Sequence, residues 1–262
     1  MPPAPLPACY TRLAPFRAAF DRGLPILTYH KLGPRPRGAR LKGLFVSARL
    51  LDRQLAELRQ AGFRSASLDD FPAACRPGSR RIVVTFDDGF RNVLDHGLDL
   101  LDRHGFTAVQ FLVADRIGAV NDWDAAEGEV QEPLMDDAGV RRWLAAGHAI
   151  GSHTLTHPRL TILPPAGARE EITASRRRLE DRFGVAVRHF CYPYGDFNET
   201  VRDLVQEAGY ATACTVENGL NQALTDPFAL HRFTARYASR NLKRWVGRFR
   251  AVILRRRQPA GG

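Results

Sequence analysis

The segments Thr85-Phe86-Asp87-Asp88-Gly89 and Ser152-His153-Thr154-Leu155-Thr156-His157-Pro158 hold the side chains of this sequence best able to bind a cation and move a proton. Each follows an apolar run, Ile82-Val83-Val84 in one case and Ala149-Ile150 in the other. A buried strand ends at such a place and a loop carrying reactive groups begins. Adjacent carboxylates repel when they lose water unless a cation compensates one of them. A metal on one aspartate and a proton-transfer task for the other resolves that conflict. On a helical turn, the spacing of His153 and His157 would put both imidazoles on one side, near enough to share an ion. One carboxylate and two imidazoles leave a coordination position for water. That is the arrangement of a catalytic ion, and it points to hydrolysis.

Phe190-Cys191-Tyr192-Pro193-Tyr194-Gly195 is a third segment of interest. Pro193 and Gly195 flank Tyr194 and fix a tight backbone path, where a main-chain N–H can serve an oxyanion. Two further acidic pairs, Asp69-Asp70 and Asp136-Asp137, precede helical patterns and read as caps. His96, His104, His148 and His189 fall in helices or adjoining strands, and no catalytic role is expected of them.

To act together these groups must be carried to one place. Strand-like runs cover residues 24–29, 63–68, 82–86, 106–113, 148–152, 187–192, 211–216 and 228–233. Helical patterns alternate with them. Ser47 can cap a helix with Leu51, Leu55 and Leu58 on one face, closed by Gly62. Residues 90–104 end at Gly105, and Asp136 or Asp137 opens a helix through Ala146. Residues 166–183 form a charged helix with Ile172, Leu179 and Phe183 inward. Asn198 caps a helix stopped by Gly209. Residues 121–132 read as a surface loop. Such alternation implies parallel strands with helical crossovers, and seven or eight strands suggest a barrel. No G-x-G-x-x-G follows the first strand, which argues against a dinucleotide site. In a barrel, reactive groups gather at the C-terminal strand ends. His30, Asp87 with Asp88, His153, and Pro193 with Tyr194 all stand at such ends.

A chain of 262 residues, 44% apolar and 25% charged, can bury one large core. Its net charge of +10 is unevenly placed. From Arg232 to Arg257 there are nine Arg and one Lys, and no acidic residue follows Asp226. Those ten removed, 28 basic residues face 28 acidic ones. Leu242, Trp245, Val246, Phe249, Val252 and Ile253 fall on one helical face of the tail. A terminal helix packed on the body and a helix on an anionic membrane surface through residues 240–257 are both open readings. Nucleic acid is not expected as a partner, because no reading motif accompanies the charge. Cys9, Cys75, Cys191 and Cys214 lack metal or disulfide-framework spacing and read as free thiols. Residues 1–22 lack an apolar leader core and no run reaches the length of a membrane span, so a cytoplasmic chain is expected, peripheral at the inner membrane face if the tail binds there.

Taken in order, Thr-Phe-Asp-Asp-Gly, Ser-His-Thr-Leu-Thr-His-Pro and Tyr-Pro-Tyr-Gly resemble the first three motifs of the NodB-type polysaccharide deacetylases, carbohydrate esterase family 4. Leu27-Thr28-Tyr29-His30 resembles the subgroup of poly-N-acetylglucosamine deacetylases with a permuted, N-terminal catalytic histidine. The resemblance implies a deformed (β/α) barrel of about seven parallel strands over residues 23–236, after an N-terminal segment 1–22 and before a basic amphipathic helix and tail 237–262. It implies removal of an N-acetyl group from an amino sugar in a poly-, oligo- or lipid-linked saccharide, with zinc, or else cobalt or nickel, as the divalent ion. Asp88, His153 and His157 match the metal triad, Asp87 the general base, and the Tyr194 N–H the oxyanion contact. His30 matches the general acid, with His231 as the alternative. Tyr29, Tyr192 and Pro193 are the expected substrate contacts. Two departures stand out. Cys191 occupies the place where many members carry an arginine that orients the base, and an Asp-x-x-Asp-Trp-like fourth motif is missing. A catalytically silent carbohydrate-binding relative and a deacylase or deformylase of a lipid-linked sugar are the alternatives.

Overall fold

Each strand-like run is followed by enough chain to cross back over a sheet face. The computed structural model, which describes residues 6–237, shows the consequence. Ten strands form: β1 (Ile26–Tyr29), β2 (Lys31–Leu32), β3 (Phe45–Val46), β4 (Arg64–Ser65), β5 (Arg81–Phe86), β6 (Ala108–Leu112), β7 (Ala149–Ser152), β8 (His189–Cys191), β9 (Thr212–Cys214) and β10 (Phe233–Thr234). Seven of them make a curled parallel sheet in the order β10-β1-β5-β6-β7-β8-β9, with β4 paired to β5 and β2 paired to β3. The helices are α1 (Arg17–Phe20), α2 (Ala48–Gln60), α3 (Arg91–His104), α4 (Asp137–Ala145), α5 (Pro165–Phe183) and α6 (Glu199–Glu207). This is the deformed (β/α) barrel expected.

The segment before β10 closes the curl. Leu230 exchanges backbone hydrogen bonds with Ala213 and Thr215 beside β9, both 2.9 Å. Three residues later the same chain pairs with β1, Phe233 opposite Leu27. It thus bridges the two ends of the sheet. Because it changes neighbours midway, only Phe233–Thr234 forms a regular ladder, and the strand is shorter than residues 228–233. The expected strand 63–68 is also short. Ser67 leaves the ladder to cap a 3-10 turn, and its N–H donates to Asp70, 2.9 Å away. The predicted helix caps form as bonds: Leu50 N–H to Ser47, Gly139 N–H to Asp136 and Val201 N–H to Asn198.

Strand alternation decides what faces the barrel interior. On β5, Ile82, Val84 and Phe86 pack outward among Leu51, Leu55, Leu101 and Trp143 of the helical layer. Val83 packs inward with Ile26, Phe111, Cys191, Cys214 and Leu230. Continuing that period aims Thr85 and Asp87 inward from β5, Thr28 and His30 inward from β1, and Arg232 inward from the closing segment. Tyr10, Phe16 and Phe20 of the N-terminal segment form a ring cluster, with Phe16 and Phe20 against Phe233. The four cysteines are buried free thiols. No helix of the described residues is long and apolar enough to cross a membrane. The expected amphipathic helix at 240–257 lies outside the described residues.

The interior is tight beside β7. A Cβ at Gly151 would meet the Phe111 ring at 2.5 Å and the His189 carbonyl at 2.8 Å. Gly151→Ala is expected to destabilise the fold by about 1–3 kcal/mol through overpacking, read as a lower urea midpoint. An unchanged midpoint would contradict this packing.

Candidate active site

Asp88 follows β5, and His153 and His157 follow β7. The Nε2 atoms of the two histidines lie 3.3 and 3.4 Å from the Asp88 Oδ1. One donor atom from each residue lies within 4.8 Å of the others, and all three side chains are buried. The histidines do not meet on a helical turn, as their spacing suggested. Residues 153–157 are an irregular loop, with Thr154 and His157 in left-handed conformation at φ 71° and 68°. Asp88 and Tyr194 are left-handed too, at φ 74° and 58°. Four of the five left-handed non-glycine residues among those described therefore line one site. Such backbone persists only where its surroundings impose it. For the histidine loop, Glu171 of α5 does so. Its carboxylate accepts from the Leu155 N–H at 2.9 Å, the Thr156 N–H at 3.0 Å and the Thr156 hydroxyl at 2.7 Å.

The donor set suits a divalent cation. His153 Nδ1 lies 2.7 Å from the Cys191 carbonyl, which fixes its proton there and leaves Nε2 for the ion. A second grouping, Asp87, His153 and Cys191, is equally close. It does not serve, because an arginine occupies it. Arg232 donates Nη1 to Asp87 Oδ1 at 2.7 Å, Nη2 to Asp87 Oδ2 at 2.8 Å and Nη2 to the Cys191 sulfur at 3.1 Å. Arg232 is fully buried. The arginine missing from position 191 is thus supplied from the closing segment, through the space a cysteine leaves free.

Charges follow this geometry. Burial alone would raise the Asp87 carboxyl, but Arg232 and His30 outweigh it and hold the pKa below its ordinary value. Burial opposes ionisation of Asp88 too, yet the hydrogen bonds from His153 and His157 take it well below. Burial also works against a charge on His153. Cys191 and the two carboxylates prevail, and its pKa stands well above that of a free imidazole. His157 goes the other way, lowered to about 4, chiefly by burial.

His30 reaches the site from the end of β1, its Nε2 3.6 Å from Asp87 Oδ2. Burial lowers its pKa despite the two aspartates. Tyr194 presents its ring edge to His157 at 4.7 Å, and its N–H donates to no backbone acceptor among the described residues. The other expected residues are not brought there. His231 alternates with Arg232 and so points outward, 3.5 Å from Glu217. Tyr29 is 1% exposed, stacked on Phe86 and bonded to Gln54, and Tyr192 is 0% exposed, bonded to the Phe228 carbonyl. Both are one residue out of phase with the interior, so their rings offer no surface to a ligand. Pro193 is buried as well.

Two residues of the loop between β6 and α4, read from sequence only as surface, build the site wall. Trp123 stacks on His157 with centroids 4.5 Å apart. Asp124 accepts the Tyr194 hydroxyl at 3.0 Å. The signal for Trp123 is a tryptophan inside an acidic loop. For Arg232 it is a basic residue inside the apolar run Leu230-His231-Arg232-Phe233.

A family model described as Polysaccharide deacetylase matches residues 75–213, just over half of the chain. A chitooligosaccharide deacetylase of Bradyrhizobium sp. (strain ANU 289) is 29% identical over 136 residues, 51% of this chain and 55% of that protein. The chain thus spans about half the length of that relative. Among solved structures, the Streptococcus pyogenes deacetylase PplD in complex with acetate superposes with a TM-score of 0.70 at 19% identity, over 82% of this chain and 92% of that one. IcaB from Ammonifex degensii gives 0.71 at 22% identity, over 87% and 97%. These two likenesses are of fold.

Two outcomes follow from the site. A protonated His153 must lose its proton to ligate. Zinc uptake at pH 7 is therefore expected to release on the order of one proton, measured in unbuffered solution with an indicator, and affinity should rise with pH. Arg232→Met leaves Asp87 buried without a counter-charge. It is expected to cost about 3–5 kcal/mol in urea unfolding and to move the acidic limb of the pH–rate profile upward.

Proposed function

The chain belongs to the polysaccharide deacetylase family, and from that premise we propose that it hydrolyses the N-acetyl group of an amino sugar in a poly-, oligo- or lipid-linked saccharide, using a divalent cation held by Asp88, His153 and His157. One observation carries the reading. Three donors converge on one point while the neighbouring carboxylate, Asp87, is kept off it by Arg232. An oxygen and two imidazole nitrogens suit zinc first, with cobalt or nickel able to take the same set. The cation would supply positive charge that acidifies a water molecule and polarises the acetamide carbonyl.

The chain's own residues account for the remaining steps. Asp87, ionised and fixed by Arg232 and the Thr28 hydroxyl, accepts the proton of the attacking water as the new C–O bond forms. The Tyr194 N–H donates to the oxyanion that develops on the carbonyl oxygen. His30, 3.6 Å from Asp87, takes up the proton that Asp87 accepted and hands it to the sugar nitrogen as the C–N bond breaks. A free amine and acetic acid leave, and the acid gives its remaining proton to solvent as acetate. The Arg232–Asp87 pair supports the enzyme over a silent carbohydrate-binding relative, because it supplies a guanidinium able to orient the base. Attachment to an anionic membrane surface through residues 240–257 belongs to the same proposal and is supported by the basic, amphipathic pattern of that segment.

The test separates binding from chemistry. Asp87→Asn is expected to retain zinc, read by metal analysis after gel filtration, and to lose activity on N-acetylglucosamine oligomers about a hundredfold or more. Asp88→Ala and His153→Ala should lose the metal itself. Full turnover by a chelator-treated Asp87→Asn protein would sink the reading.

A further inference from the structure

From Lys31 to Leu51 the chain holds six basic residues and no acidic one. Lys31 is the buried member, and its charge is met. Its ammonium lies 2.9 Å from the Glu132 carboxylate and over the Phe90 ring. Four others sit in the loop 33–44 that follows β2, on the face where His30 emerges. Arg35, Arg37, Arg40 and Lys42 are exposed and line a hollow of about 540 Å³. Among the described residues none of the four forms an ion pair with a carboxylate. Some exposed arginines elsewhere do pair: Arg80 with Asp21, Arg169 with Glu207 and Arg188 with Asp69. Four cations without a carboxylate partner thus line one hollow, and of these Arg40 also donates to the Glu127 carbonyl. Water and salt weaken the mutual repulsion of such groups, and a bound anion removes it.

The loop is ordered. The Glu129 carboxylate accepts the N–H groups of Arg40 and Leu41, at 2.9 and 2.7 Å. The Leu32 N–H donates to Asn92 at 3.0 Å and the Gly33 N–H to the Val46 carbonyl at 2.9 Å. Pro34 and Pro36 restrict the backbone on either side of Arg35. The loop also lies against the site wall. Glu129, its anchor, belongs to the same connection as Trp123 and Asp124, and Gly38 faces Val130 of that connection. The hollow and the ion-binding cluster therefore each abut the connection between β6 and α4, the one near Glu129 and Val130, the other at Trp123. Guanidinium groups match the oxygens of a phosphate in pairs, and four cations suit a dianion or a pyrophosphate better than a single carboxylate.

We propose, on the premise that the barrel is a saccharide deacetylase, that this hollow is a phosphate subsite. It takes a phosphate or pyrophosphate carried by the same saccharide whose acetamide lies at Asp88, His153 and His157. That phosphate can belong to a soluble sugar phosphate or link the sugar to a lipid.

The experiment compares the zinc-loaded full chain with Arg35→Ser/Arg37→Ser. Amine release is followed from a neutral N-acetylglucosamine trimer, from its 1-phosphate, and from a polyprenyl-pyrophosphate-linked form in detergent. The preference for phosphorylated over neutral substrate, as a ratio of kcat/KM, should fall at least about tenfold in the variant, through KM. A tenfold fall with both phosphorylated forms supports the subsite, and a fall with one alone identifies the source of the phosphate. An equal ratio in the two proteins overturns it. Binding of N-acetylglucosamine 1-phosphate by calorimetry gives a readout independent of turnover. If neither protein hydrolyses any substrate, the deacetylase reading fails, while weaker binding by the variant still supports the anion site and equal binding still overturns it. Loss of sedimentation with phosphatidylglycerol vesicles, with the substrate ratio unchanged, would mean a headgroup contact and refute the subsite.

Discussion

The buried pair of Asp87 and Arg232 constrains the rest of the structure. Either charge alone in the barrel interior would cost several kcal/mol, so the end of β5 and the closing segment must meet. Their meeting joins the two ends of the curled sheet. It also divides the labour of two adjacent aspartates. With both Asp87 oxygens taken by a guanidinium, Asp88 is the carboxylate left for His153 and His157. Cys191 belongs to the same arrangement, since its small side chain makes room for an arginine arriving from the far end of the barrel.

Around that pair the backbone is held in conformations that side chains disfavour. Asp88, Thr154, His157 and Tyr194 each carry a cost of roughly 1–3 kcal/mol. The surroundings offset it. Glu171 ties down two N–H groups and a hydroxyl of the histidine loop, and the Ser152 hydroxyl lies 2.7 Å from that of Ser175. Helix α5 is therefore more than a crossover. Its polar residues fix the loop that presents two donors to one point.

Much of this was legible in the sequence. The strand–helix alternation, the caps at Ser47, Asp136 and Asn198, and the gathering of His30, Asp87, Asp88, His153 and Tyr194 on one face follow from local patterns. What escaped was contact between residues distant in the chain. Arg232 sits among the basic residues of the C-terminal region, where a charge count cannot tell a buried arginine from a solvated one. Trp123 lies in a loop with no periodicity to orient it. Tyr29 and Tyr192 show the opposite error. Their place next to reactive residues made them look available, although strand alternation turns each into the helical layer.

The separation of the paired charges along the chain has a further meaning. Arg232 lies 145 positions after Asp87 and is the last site residue to emerge during synthesis. Until it does, a carboxylate waits in a half-built interior with nothing to neutralise it, and water must stay. Closure of the cylinder and neutralisation of that carboxylate thus depend on the same late segment of the chain. A ribosome-bound fragment stopped short of that arginine has neither.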